Sequence, residues 1–428
     1  MNGEISSAPN LRFLLSEQAE RFKRMDRGFP REALEEVKPY LKSPAIVVIT
    51  GLRRSGKSTL QAQLADVCFP NDYYYLNFDD ERWTGFEAAG FSRVHEMLIE
   101  LFGEKKYFLM DEVQNIPHWE LFVRRLHDAG HKIIITGSNA SLLSREIGSH
   151  LTGRHREVEL FPFSFREYLG FKGVEPIAQN TTQSAYLKRG LHDYLKTGGI
   201  PDALKYPEDD FCAQLYQDII YRDISARYSI DSLKNLKELS LYLAGNAGKP
   251  VSFNKLRQML MLGSVNTVKT YIDYLETSWL YFIINTYSTS MKQQQIAPKK
   301  VYCIDNGIIN QVAFRSSDDT GWLLENVVFL HLRKKTSEIF YAKNDDGSEI
   351  DFLIRKGPKP VHLIQVSASL AAEETRKREV NSLLTGMRRY KINEATIVTL
   401  EEEETIRDKN SYIRIVPATK WLTDPKVT

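Results

Sequence analysis

Cysteine is scarce in this 428-residue chain: Cys68, Cys212 and Cys303 stand in no paired spacing, which argues against a disulfide framework and makes a reducing cytoplasm the expected setting. Long apolar runs are absent as well. The longest, such as residues 45–49 and 107–110, fall far short of the ~20 needed to span a bilayer, so no membrane partner is expected. The opening residues MNGEISSAPN have no basic stretch followed by an apolar one, and so do not read as a secretory signal. There is no low-complexity tract and no internal repeat. Excess charge is missing too: 57 basic and 55 acidic residues leave a formal charge of +2, so a nucleic-acid site, if there is one, must be local. What remains is an ordinary globular composition, 42% hydrophobic and 26% charged, on a chain long enough for several domains.

Residues 1–43 read as a helical lead-in ending at Pro44. From 44 to 162, short β-rich runs at 45–50, 73–78, 107–110, 132–136 and 157–160 alternate with helix-like segments. Uninterrupted apolar strands separated by helices mark a parallel sheet buried on both faces, hence an α/β class. Residues 163–230 read as a helical lid, broken at Gly198-Gly199-Ile200-Pro201. In 231–293, three helix-like segments and a β-rich run fit a winged helix-turn-helix, and the polar stretch 288–299 reads as loop or linker. A helix, three strands, a helix and another strand then make 294–428 a second, differently built α/β domain.

Gly51-Leu52-Arg53-Arg54-Ser55-Gly56-Lys57-Ser58 fits G-x-x-x-x-G-K-[ST] between a predicted strand and a helix opening at Thr59. The glycines let backbone N–H groups wrap phosphates, and the helix N-terminus adds positive potential. Lys57 is expected to neutralise β/γ-phosphate charge and the Ser58 hydroxyl to ligate Mg2+. Residues 107–112, Tyr-Phe-Leu-Met-Asp-Glu, deliver two acids to a strand end: Asp111 for the metal, Glu112 to activate or orient water. The next strand ends in Gly137-Ser138-Asn139, with Asn139 the preferred γ-phosphate sensor. Arg154, with Arg145 and Arg156 as alternatives, could stabilise the transition state from a neighbouring subunit.

As a set, GLRRSGKS, YFLMDE, TGSNA and the LTGR before ELFPFSFREYL resemble the AAA+ superfamily. With SVNTVKTYIDYLE, VYCIDNGIIN and GWLLENVVF downstream, the chain resembles a bacterial and archaeal family of predicted ATPases carrying a restriction-endonuclease-like domain. The resemblance implies ATP hydrolysis and homo-oligomeric assembly, a hexameric ring included. It also implies an adenine contact at Pro201, by similarity to a glycine-proline motif of related ATPases. A fold likeness supplies no biological role.

DNA is the expected partner of the winged-helix segment. The helix from Ser264 puts Val265, Val268, Ile272 and Leu275 on an apolar face and turns Asn266, Thr270 and Asp273 outward, with Lys255, Arg257 and Lys269 placed for phosphates. Asp273 opposes that reading, and such modules also serve in docking. The last domain resembles the PD-(D/E)XK nuclease fold, with Glu325 and Asp351 at the acidic positions and Glu349 on the same strand face as Asp351. Where (D/E)-x-K is expected, Gln365-Val366-Ser367 stands instead. The lysine that would orient the attacking water is missing unless Lys356 or Arg376 replaces it, so a degenerate site is expected.

Overall fold

The computed structural model describes residues 8–138, 151, 153–313, 320–408 and 410–424. They fall into two compact units, Met1–Phe161 and Pro162–Thr428.

In the first unit, β1 (Ile46–Thr50), β2 (Tyr73–Asn77), β3 (Tyr107–Asp111), β4 (Lys132–Gly137) and β5 (His155–Glu159) form one sheet in the order β2-β3-β4-β1-β5. Every neighbouring pair is parallel. The β-branched run Ile-Val-Val-Ile-Thr of β1 is buried at every position, because the sheet is covered on both faces. The period-2 alternation divides it: Ile46 and Val48 join Phe108, Met110, Ile133 and Ile135 in one core, while Val47 and Ile49 join Leu109, Ile134 and Val158 in the other. Helices α1 (Ala8–Arg24), α4 (Phe91–Phe102) and α5 (Trp119–Asp128) supply the first core; α2 (Ala33–Leu41) and α3 (Lys57–Cys68) supply the second. Phe22 of α1 reaches the second core, where its ring stacks on Tyr75 at 3.9 Å. With all strands parallel, Thr50, Asn77, Asp111 and Gly137 end along one edge, the edge at which open α/β sheets bind ligands.

The second unit begins with helices, among them Phe165–Phe171, held by a capping box of Ser164 and Glu167, and Thr181–Thr197. Helix Leu233–Gly245 leads into β6 (Pro250–Val251), helices Phe253–Met259 and Val265–Thr277 follow it, and β7 (Tyr281–Ile284) and β8 (Lys299–Cys303) complete an antiparallel sheet ordered β6-β8-β7. A six-stranded sheet follows, ordered β13-β14-β12-β11-β10-β9, made of β9 (Ile339–Lys343), β10 (Glu349–Lys356), β11 (Lys359–Val366), β12 (Glu394–Thr399), β13 (Glu404–Asp408) and β14 (Ser411–Pro417). β9, β10 and β11 run antiparallel, and β12 lies parallel to β11. Leu383 and Met387 of helix Glu373–Tyr390 pack on Ile350, Leu363, Ala395 and Ile397 of this sheet.

The stretch read as a loop, 288–299, is structured differently. It contains the helix Met291–Ile296, whose Ser290 cap accepts from the Gln293 N–H, and it runs into β8 at Lys299. Because β8 pairs with β7 on one side and β6 on the other, a boundary after residue 293 would cut a strand from its sheet. Polar composition concealed that strand, whose register pairs Lys300 with Pro250, far earlier in the chain.

Candidate functional site

The loop leaving β1 is held in a shape that its residue types dictate. Gly51 has φ 147°, and a Cβ there would meet the Leu160 carbonyl oxygen at 2.2 Å; Gly56, the residue before α3, has φ 93°. Arg54 also has positive φ, at 62°, and is exposed, while Leu52 and Ser55 are buried and Arg53 and Thr59 half-buried. Arg31, in the segment between α1 and α2, grips this loop from behind. Its Nη1 donates to the Ser55 carbonyl at 2.6 Å and its Nη2 to the Phe161 carbonyl at 2.6 Å. Gln63 of α3 clamps the same segment, accepting from the Arg31 N–H and donating to the carbonyls of Arg27 and Phe29.

The chemistry-bearing side chains converge at the sheet edge. Lys57 Nζ donates to the carbonyls of Gly51 (3.1 Å) and Leu52 (3.0 Å) and lies 3.8 Å from Glu112 Oε1. Ser58 Oγ donates to Asp111 Oδ2 at 2.5 Å, so these two oxygens are adjacent, as shared ligation of a hard cation requires. Thr136 donates to the other Asp111 oxygen, and Tyr75 Oη to Oδ2 at 3.2 Å. Burial, then repulsion from Glu112, pushes the Asp111 carboxyl above the usual range, although Ser58, Thr136 and Lys57 pull it down. Burial also works against the charged form of Glu112. There Lys57 and hydrogen bonds from Gln114 and Ser138 outweigh it and hold the carboxyl below the usual range. Glu112 adopts the left-handed conformation (φ 50°, ψ 45°), rare for a non-glycine residue and costing roughly 1–2 kcal/mol. Its Oε2 accepts from Ser138 N (3.2 Å), Ser138 Oγ (3.0 Å) and Gln114 Nε2 (2.6 Å). The donors suit Mg-ATP: a backbone cradle and lysine for phosphates, a serine hydroxyl beside a carboxylate for the metal, and an ionised carboxylate for water.

Lys57, Ser58, Asp111 and Glu112 are thus brought together. Asn139 and Arg145 lie outside the described residues, and Ser138 is the residue that meets Glu112. Arg154 stands at the opposite end of the sheet from its own P-loop: its carbonyl accepts from Ile46 N at the start of β1, roughly 16 Å of strand away. Its guanidinium pairs with Asp128 at 2.8 Å and is 40% exposed, so it does not serve the site of its own chain. Arg156 bonds the neighbouring His155 carbonyl. Pro201 belongs to the second unit, opening the short helix Pro201–Lys205. Sequence reasoning missed Arg31, Thr136, Tyr75 and Gln114. Of these, Thr136 carried a signal, as the last residue of the strand read before Gly137.

In the second unit, Asn266 and Lys269 are exposed on helix Val265–Thr277, Lys255 is exposed on the helix before it, and Arg257 is half-buried. Glu325 and Asp351 come together with Glu349, and Gln365 Oε1 accepts from the Asp351 N–H at 3.3 Å. Neither suggested substitute for the missing lysine is there. Lys356 is exposed at the end of β10, and Arg376 pairs with Glu404 at 2.5 Å. The lysine that is there, unforeseen, is Lys300 of β8, with Nζ 3.0 Å from Glu325 Oε1, 2.9 Å from Glu349 Oε1 and 2.9 Å from Asp351 Oδ1.

Residues 43–169 match the AAA domain, 188–319 a domain of unknown function (DUF8612) and 320–421 another (DUF4143). The uncharacterized protein MJ1544 of Methanocaldococcus jannaschii is 32% identical over 397 residues, 88% of each chain. An uncharacterized protein of Haemophilus influenzae is 30% identical over 345 residues, 77% of this chain and 84% of that one. Among solved structures, a signal transduction ATPase with numerous domains from Pyrococcus horikoshii aligns at 16% identity over 73% of this chain and 48% of that one, with a TM-score of 0.27. No helix among the described residues is long and apolar enough to cross a membrane. The chain thus carries an AAA-type ATPase domain on its parallel sheet, and the extent of shared sequence places it in the same family as MJ1544.

Proposed function

We propose that this protein hydrolyses Mg-ATP at the edge of the β2-β3-β4-β1-β5 sheet, and that it uses the nucleotide cycle to act on or control DNA through its second unit. The observation that carries hydrolysis is the pairing of two acids in unlike environments. Asp111 sits against Ser58, where a metal ligand is needed; Glu112 is held ionised by Lys57 and Ser138, where a base is needed. Backbone N–H groups of 51–56 and Lys57 would hold the phosphates, and Ser58 with Asp111 the magnesium, which when bound neutralises charge developing on the phosphoryl oxygens. Glu112 accepts the proton of the attacking water.

Support for DNA comes from helix Val265–Thr277. Its Ser264 cap, its buried Val268, Tyr271, Ile272 and Leu275, and its exposed Asn266, Lys269 and Thr270 follow a short turn after Phe253–Met259, and the β6-β8-β7 sheet packs alongside as a wing would. The helix, β9–β11 meander, helix and β12 order supports a nuclease-like fold for the last segment. A second reading, a nucleotide-dependent switch acting on a protein partner, is favoured by Met261. It is 93% exposed in the turn between those two helices, beside Met259 at 47%, an apolar tip unsuited to phosphates. The deciding experiment is the ATPase rate with and without duplex, single-stranded and branched DNA, with Lys57→Ala as the inactive control. Stimulation of several-fold by any DNA supports the first reading. A rate indifferent to DNA at low salt, where phosphate contacts are strongest, removes it.

A further inference from the structure

The six-stranded sheet carries a cavity of about 470 Å³ whose lining includes Trp322, Glu325, Glu349, Asp351, Gln365 and Arg378. Its carboxylates converge as the ligands of a divalent cation would, which is what a nuclease-like fold leads one to expect. We infer that the ammonium of Lys300 takes the place of that cation, so that this centre is closed to divalent metal by a lysine supplied from the neighbouring β6-β8-β7 sheet.

Three oxygens from three carboxylates meet one nitrogen at 2.9–3.0 Å, and the lysine side chain is 1% exposed. Part of the remaining ligand capacity is used as well. Asp351 gives Oδ1 to Lys300 and accepts from Val366 N at 2.9 Å with Oδ2, while Glu325 Oε1 also accepts from Tyr302 Oη at 2.8 Å. Gln365, which could have lent an oxygen, spends it on the Asp351 N–H. A magnesium or manganese ion needs these same oxygens at about 2.0–2.2 Å around one point, and the ammonium stands at that point. Adding a dication next to it would place two cations within contact distance in a buried setting. Three carboxylates around one buried amine favour its charged ammonium form.

The lysine is also pinned from its own strand. Asn326, beside Glu325, accepts from Cys303 N at 2.8 Å and donates to the Cys303 carbonyl at 2.9 Å, mimicking a strand partner for β8. Gly248 leaves room for this packing: a Cβ there would meet the Trp322 ring at 2.8 Å and Glu325 Oε2 at 3.4 Å. Adjacent residues of one helix, Glu325 and Asn326, thus hold the side chain and the backbone of one strand.

The test is Mn2+ binding to the nucleotide-free full chain, followed by electron paramagnetic resonance, in wild type, Lys300→Met, Asp351→Asn and the Lys300→Met/Asp351→Asn double variant. The ATP site is unaltered in all four and cancels in the comparison. Wild type should show no Mn2+ binding that Asp351→Asn removes, and Lys300→Met should gain about one site per chain, at least tenfold tighter, that the double variant loses. Binding by wild type that Asp351→Asn abolishes overturns the inference, as does a folded Lys300→Met chain that gains no site. Lys300→Met leaves the carboxylates uncompensated and can unfold the unit, so thermal melting with and without Mn2+ gives a second readout. A larger stabilisation by Mn2+ of the variant than of wild type supports the inference; equal shifts in both overturn it.

Discussion

Glu112 shows how one side chain is fitted to its role by its surroundings. A positive φ at the end of β3 places its carboxylate between Lys57 and Ser138, and the hydrogen bonds there hold it ionised through the neutral range. Glu112→Gln keeps the shape and removes the base. ATP should bind within a few-fold of wild type while kcat falls by about 10²–10⁴, the usual contribution of a general base; near-normal single-turnover rates would remove Glu112 from catalysis. Arg31 acts at one remove, as a positioning residue. Its fork spans two carbonyls, Ser55 in the P-loop and Phe161 after β5. Arg31→Ala should raise KM for ATP about tenfold or more with a smaller change in kcat. Arg31→Lys should restore little, because a point-like ammonium does not reproduce the fork. A KM unchanged in folded Arg31→Ala would show the contact to be ornamental. The P-loop, Asp111 and Glu112 were legible as residue types at fixed spacing. Arg31 was not, since nothing in a lone arginine some twenty-five residues upstream marks the loop that it will grip.

Asp305 operates at the scale of elements. It caps helix Asn306–Val312 by accepting from Gly307 N at 2.8 Å and fixes the Gly198-Gly199 turn by accepting from Gly199 N at 2.6 Å. Burial pushes its carboxyl up to about 7, against the pull of these backbone donors. A carboxyl whose folded pKa exceeds its unfolded one contributes stability that is complete below the ordinary carboxylate range and is lost as pH rises through about 7. The wild type should therefore lose stability relative to Asp305→Asn between about pH 4 and pH 7, by up to about 4 kcal/mol for a shift of some three units. Urea unfolding of both chains across that range reads the difference, and parallel curves would refute the assignment. Asn also donates where one carboxylate oxygen accepted, at a cost of about 1–3 kcal/mol at every pH. Elements of the first sheet were legible in the sequence because continuous apolar runs and intervening helices are local signals. β8 was not: a strand beginning Lys-Lys after a polar stretch earns its place through β6 and β7, and the burial of Lys300 depends on carboxylates from one helix and one other strand.

At the scale of the whole molecule, Arg154 sits at the sheet end remote from its own P-loop and is partly exposed. If it completes a neighbour's site, mixing Lys57→Ala with Arg154→Ala chains should restore part of the ATPase activity that each lacks alone, because mixed assemblies contain one interface with both groups intact. No recovery in assemblies shown by mass to have mixed would exclude that role. The sequence by itself determined the ATP engine: a phosphate cradle needs glycine, lysine and serine within eight residues, and a buried parallel strand announces itself by its own apolarity. Tertiary structure alone decided which ions face one another. It put Ser138 beside Glu112, sent Arg154 to the far edge, and filled the acidic centre of the second unit with Lys300. Electrostatic partnership depends on distance and burial, and both are settled by which strands lie side by side rather than by order along the chain.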